Sequence, residues 1–79
     1  MHPAAQATIE RVLGIEWKIQ MLDFDAQISV CVITNTGEKL AVRFDTRKGR
    51  PAGRSEALQL YADEIDTAKE ALLLMLQEK

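Results

Sequence analysis

Cysteine, histidine, proline and aromatic residues are all scarce in this 79-residue chain: one Cys, one His, two Pro and 5% aromatics. A lone Cys31 cannot close a disulfide within the chain, and one Cys with one His cannot complete a four-ligand zinc site. No metal or other cofactor is therefore expected. Long apolar runs are missing too. The longest, residues 71 to 76, is six residues, far below the ~20 needed to cross a bilayer. The opening Met1-His2-Pro3-Ala4-Ala5-Gln6 lacks the basic and apolar regions of a secretory signal. With a free thiol, that favours a reducing, cytoplasmic setting without membrane attachment.

A hydrophobic content of 47% and a charged content of 28% are ordinary for a folded domain, so wholesale disorder is not expected. The whole chain, 1–79, reads as one small domain. A chain this short buries only about 60–70% of its unfolded surface, which leaves a single core marginal. Disulfide and zinc being excluded, association with another chain is the remaining way to add stability.

Periodicity predicts the elements. Residues 3 to 13 read as a short helix: Pro3 suits its first turn, Ala5, Ile9 and Val12/Leu13 form a stripe, and Gly14 suits the cap. Ile15, Trp17, Ile19 and Met21 alternate with polar residues, as a half-buried strand requires. Asp23-Phe24-Asp25-Ala26 follows as a turn. Ile28, Val30 and Val32 mark a second strand, and Leu40, Val42 and Phe44 a third, with Thr34-Asn35-Thr36-Gly37 turning between them.

Both hairpins can be set in register from the pattern alone. The first places Trp17 against Val32, Ile19 against Val30 and Met21 against Ile28. The second places Val32 against Leu40, Val30 against Val42 and Ile28 against Phe44. A slip of one residue would turn a whole apolar row outward. The other face, which includes Glu16, Lys18, Gln20, Ser29, Cys31, Ile33, Lys39, Ala41 and Arg43, is mixed and expected to face solvent.

A final helix is predicted from Ser55, as N-cap, to Gln77, with a possible break near Asp66 where Thr67 and Glu70 form a capping-box pattern. Its stripe, Leu58, Tyr61, Ile65, Ala68, Leu72 and Met75, should cover the apolar face of the sheet. Trp17 should lie buried under that helix against Leu58, Tyr61 and Ile65. The expected fold is α+β, in the order α-β-β-β-α, with a three-stranded antiparallel meander covered on one face.

Nothing in the chain names a reaction. Cys31 would sit mid-strand and His2 at the terminus, so they form no catalytic pair, and Cys31 reads as a small apolar side chain. Asp63, Asp66 and Glu70 share a helix face, which reads as a solvated charge pattern rather than an ion site. Asp23 and Asp25 fit a turn. The expectation is a non-enzymatic protein.

Five of the ten cations do gather between Arg43 and Arg54, in a chain of net charge −2. Arg47, Lys48, Arg50, Arg54 and Ser55 are candidate anion- or partner-binding residues, because a helix N-terminus beside them offers unpaired N–H groups and partial positive charge. Gly49 to Ser55 superficially resembles a phosphate-binding loop. It is one residue short of the P-loop spacing, carries Arg54 in place of Lys, and follows an antiparallel sheet. The bland alternative is internal neutralisation. Residues 43 to 54 carry net +4 and residues 56 to 79 net −4.

Two functional readings follow. The element order is similar to that of double-stranded-RNA-binding domains, which implies weak nucleic-acid binding through the basic loop. The residues that family uses are not matched: Leu22-Asp23-Phe24-Asp25-Ala26 is acidic, and the last helix opens on Glu56 with no Lys before Lys69. The preferred reading is a protein-binding module that forms a homodimer or takes another protein partner. Residues 71 to 76 are apolar all round the helix, while a three-stranded sheet shelters one side only. Leu73, Leu74 and Leu76 are therefore the expected oligomer interface. A small accessory, regulatory or inhibitor protein of bacterial or phage type would fit that build.

Overall fold

The computed structural model describes residues 2–46 and 51–78. Its elements run α1 (Pro3–Leu13), β1 (Glu16–Leu22), β2 (Gln27–Ile33), β3 (Lys39–Asp45), α2 (Arg54–Leu60) and α3 (Ala62–Gln77). This is the expected α+β order, except that the last helix is two helices. The three strands form one antiparallel sheet in the order β1-β2-β3.

Both predicted registers are present. Trp17 faces Val32, Ile19 faces Val30 and Met21 faces Ile28. On the other side of β2, Val32 faces Leu40, Val30 faces Val42 and Ile28 faces Phe44. The apolar rows choose the register because any one-residue slip would expose them to water. The first turn uses the four residues Asp23 to Ala26, of which Asp23, Phe24 and Asp25 all take positive φ. Asp tolerates this left-handed conformation better than most residues, whereas Phe24 does not and stands 91% exposed at the tip.

The core lies between the inner sheet face and the C-terminal helices. Ile28, Val30 and Val32 of the central strand are fully buried, as is Leu72. Tyr61, Ile65 and Ala68 complete the buried cluster with Ala57 and Leu76. Each fully buried Val, Leu or Ile contributes about 1.5–3 kcal/mol, so β2 and α3 hold much of the stability.

The break in the final helix falls at Tyr61, not near Asp66. Tyr61 takes φ −110 and ψ 23, and this swing turns its ring inward to 1% exposure. There it meets Phe44, with ring centroids 6.0 Å apart and planes tilted by 48°. The Thr67–Glu70 pattern does not start a helix: Thr67 Oγ1 instead donates to the Asp63 carbonyl one turn back, at 3.0 Å. Helix α3 therefore runs straight through residue 66.

At the other end of the chain, His2 caps α1 by accepting the Ala4 N–H at Nδ1, 3.1 Å away. Gly14 closes the helix with φ 60, and a Cβ there would lie 2.9 Å from Asn35. Glycine is required at that position twice over, by backbone angle and by close approach. The Asn35 N–H donates to the Leu13 carbonyl at 3.2 Å, tying α1 to the β2–β3 turn.

The outer sheet face is less wet than expected at its centre. Ser29 and Cys31 are 5% and 4% exposed, whereas their neighbours across the ladder, Lys18, Gln20 and Arg43, are exposed. A central strand flanked by longer side chains on both sides is shielded by them even without a covering layer.

Candidate protein-docking groove

A helix is about 10–12 Å across with its side chains, while three strands spaced about 4.8 Å apart present a wider face. One helix cannot cover all three strands. Helix α3 lies over β2 and β3, and α1 packs beside it. Trp17 of β1 shows what closes that side. Its Nε1–H donates to Glu10 Oε2 of α1 at 2.5 Å, and Lys69 Nζ of α3 stands 5.3 Å from the ring centroid. Trp17 is thus half-buried between α1 and α3, rather than fully buried under the Leu58–Tyr61–Ile65 stripe. Its ring packs against the buried core cluster and also meets Glu10 and Lys69, so charged groups share its surroundings with apolar ones.

Over β3 the flank of α3 stands open. A groove of about 710 Å³ runs between β3 and α3. Val42 and Phe44 line it from the strand, and Tyr61, Thr67, Ala68 and Ala71 from the helical side. Asp45, Asp63 and Glu64 make an acidic rim, with Arg43 the one cation among the described residues that line it. Beyond Tyr61 and the acidic rim, the helical wall is made of the short side chains Thr67, Ala68 and Ala71, which is why the groove stays open.

Strand β3 is also an edge. Thr34 N–H donates to the Glu38 carbonyl at 2.9 Å, and Thr46 N–H donates to the Ala26 carbonyl at 2.9 Å. These bonds fix the parity of the ladder, so even-numbered residues of β3 bond to β2. Lys39, Ala41 and Arg43 consequently turn their backbone N–H and C=O groups away from β2, toward an edge on which no strand pairs among the described residues.

Of the candidate anion-binding residues, Arg47, Lys48 and Arg50 lie outside the described residues. Arg54 and Ser55 are described and exposed. Arg54 points across the sheet, its Nε–H donating to the Ile19 carbonyl at 3.5 Å, a long contact at the β1 edge. Ser55 is not the N-cap: Gly53 holds that position, with no side-chain cap bond. Glu56 does the related work by accepting the Ala52 N–H at Oε2, 2.9 Å away. Helix α2 has seven residues and one acidic side chain in its first turn, which weakens any pull on an anion.

The interface expectation needs a larger correction. Leu73 is fully buried and Leu76 is 9% exposed within the single chain, so neither is available to a partner. Leu76 belongs to the core cluster, and α1 packs against α3, cover that a reading of sheet and helix alone leaves out. Leu74 alone of the three is open, at 52%, together with Met75 at 39%. Met75, read as part of the sheet-facing stripe, lies at its margin instead.

Sequence reasoning missed the groove residues Val42, Phe44, Thr67 and Ala71. The available signal was the pair of small residues Ala68 and Ala71 on one helix flank, facing a strand whose apolar row needs more cover than they give. Among the described residues, no three His, Cys, Asp or Glu side chains converge to hold a metal ion. No described helix is long and apolar enough to cross a membrane.

The fold and groove together define a small α+β domain with a helix-walled cleft beside one open sheet edge. In comparison with known proteins, no family model, curated protein or solved structure matches the chain.

Proposed function

We propose that this protein is a binding module rather than a catalyst, that it self-associates, and that the β3–α3 groove is its docking surface. The observation that supports this most is the coincidence of an apolar floor, Val42 and Phe44, with an outward-turned backbone edge on the same strand. Partners commonly use such an edge by adding a strand to it, with side-chain pockets beside the strand supplying specificity. Leu74 and Met75 extend apolar surface along α3 toward its C-terminus and are included in the proposed docking surface.

The reading is tested by concentration. Light scattering on a sizing column at tens of micromolar should give about twice the 8.9 kDa chain mass. On dilution, amide NMR shifts should move at residues 42–45 and 67–71 and stay still on the outer strand β1. Ala71→Arg fills the groove from a half-buried position and should abolish association, while Val12→Arg, at a site 73% exposed on α1, should not. A chain that stays at its monomer mass, with no dilution-dependent shifts, would overturn the reading.

A further inference from the structure

Resting on that reading, we infer that the partner in the groove is a second copy of the chain, docked by antiparallel pairing of β3 with β3 about a twofold axis through Val42. The sequence of β3 is Lys-Leu-Ala-Val-Arg-Phe-Asp, from Lys39 to Asp45. Its ends carry opposite charges. Run antiparallel against itself and centred on Val42, the strand sets Lys39 opposite the other copy's Asp45, twice, and Leu40 opposite the other copy's Phe44, twice. Val42 meets itself on the axis.

Backbone parity allows this register. Ala41 and Arg43 both turn their N–H and C=O groups to the open edge, and they become direct partners, forming two hydrogen-bonded pairs across the axis. Val42, whose own backbone groups bond inward to β2, takes the non-hydrogen-bonded position where side chains approach closely.

The two neighbouring registers with the same parity are penalised by charge. Centring the pairing on Ala41 sets Lys39 against Arg43 of the other copy, twice. Centring it on Arg43 sets Arg43 against itself. Like charges directly opposite destabilise a strand pair, so of the three registers that pair at least five residues of β3, only the one centred on Val42 escapes repulsion; centring on Leu40 or Phe44 avoids it too but pairs only three residues of the strand. Lys39, Arg43 and Asp45 are all exposed on the outer face, and one Asp45 oxygen also accepts from Gln27 Nε2 at 3.4 Å.

The same twofold sets the two grooves face to face. Leu40, Val42 and Phe44 point to the helical side in both copies, so the six strands form one continuous sheet with both α3 helices on one face. Those helices run antiparallel, and the acidic N-terminal rim of one, Asp63 and Glu64, lies toward the apolar C-terminal flank of the other. The association closes on itself without leaving a second β3 edge to propagate, which an isologous contact requires.

Five variants of the whole chain test the register, three by sedimentation and two by oxidative cross-linking. Ala41→Pro removes an outward N–H without touching the β2 ladder and should raise the dimer Kd at least ~100-fold, with unchanged far-UV circular dichroism. Lys39→Glu should raise it at least ~10-fold, and adding Asp45→Lys should restore it to within about threefold, because the swapped pair again has opposite signs. Val42→Cys, in a Cys31→Ser background, should oxidise to a covalent dimer, since Cα atoms about 4.5 Å apart fall in the disulfide range. Ala41→Cys in that background should cross-link at least ~10-fold more slowly, its counterpart being displaced along the strand. If Ala41→Pro fails to fold, the charge swap and the cross-link decide. A dimer indifferent to Ala41→Pro and to the charge changes would overturn this register and leave groove docking standing. A wild-type chain that remains at 8.9 kDa even at millimolar concentration would overturn both.

Discussion

At the β1 edge of the sheet, Trp17, Ile19 and Met21 point inward; at the β3 edge, Leu40, Val42 and Phe44 do the same, and all six are half-buried. The two rows are equally apolar, yet they are finished differently. Over β1, Glu10 of α1 holds the Trp17 indole, Lys69 of α3 approaches its face, and Arg54 reaches the Ile19 carbonyl. Over β3, the neighbouring helix presents Thr67, Ala68 and Ala71 and leaves a cleft. Strand hydrophobicity therefore does not determine whether an edge is closed. What determines it is the length and reach of the side chains on the elements that happen to lie above.

The comparison can be broken most forcefully at Trp17. Trp17→Ala should lower the unfolding free energy by about 2–3 kcal/mol, below the range for a fully buried Trp because this one is half-exposed. Its counterpart on the open side, Val42→Ala, should cost only about 1 kcal/mol, because fewer atoms are removed from a row with less cover. Urea denaturation of the two variants at a concentration where the chain is monomeric checks both. Equal losses would mean that the two edges are covered alike.

A second, smaller effect tests the tie between α1 and the sheet. Gly14→Ala should cost about 1–2 kcal/mol, since φ 60 disfavours any side chain and the added Cβ would lie 2.9 Å from Asn35. The loss should appear with reduced amide protection through α1 and at Trp17, and with little change along β3. Uniform loss of protection would instead show that α1 is not a separate cover for one edge.

The smallest effect sharpens the comparison. Arg54→Ala removes an exposed side chain with one long bond and should change stability by no more than about 0.5 kcal/mol. Its mass in solution should match wild type at the same concentration, because α1 and the Trp17–Glu10 bond still flank the β1 edge. Appearance of larger oligomers in light scattering would show that Arg54 alone keeps that edge from pairing.

Much of this architecture was legible before the structure. The alternation at residues 15 to 21, 28 to 33 and 40 to 45 carried the strands and both registers, since a period of two has only one arrangement that keeps each apolar row dry. The Asp-rich first turn and Gly14 were legible for a related reason: few residues tolerate the backbone angles required there. The candidate site was much less legible. Leu73 and Leu76 were read as surplus because helical spacing shows that a side chain turns from the sheet, but not what the rest of the chain lays over it. Ser55 was read as a cap from residue type, although Gly53 takes that place. The last helix was read as one element from Ser55 to Gln77, with Asp66 the place where a local pattern allowed a break, and the break fell instead at Tyr61, where burying a large ring beside Phe44 outweighs one residue of helical geometry.

By itself, then, the sequence determined the strands, their pairing and the face they bury, because these depend on periodicity and on angles that act within a few residues. The tertiary structure alone decided where α1 and α3 come to rest over the sheet. That placement rests on packing between residues far apart in the chain, such as Glu10 with Trp17 and Phe44 with Tyr61. It leaves Leu73 inside, Leu74 outside, and one edge of an otherwise evenly apolar sheet open beside a cleft.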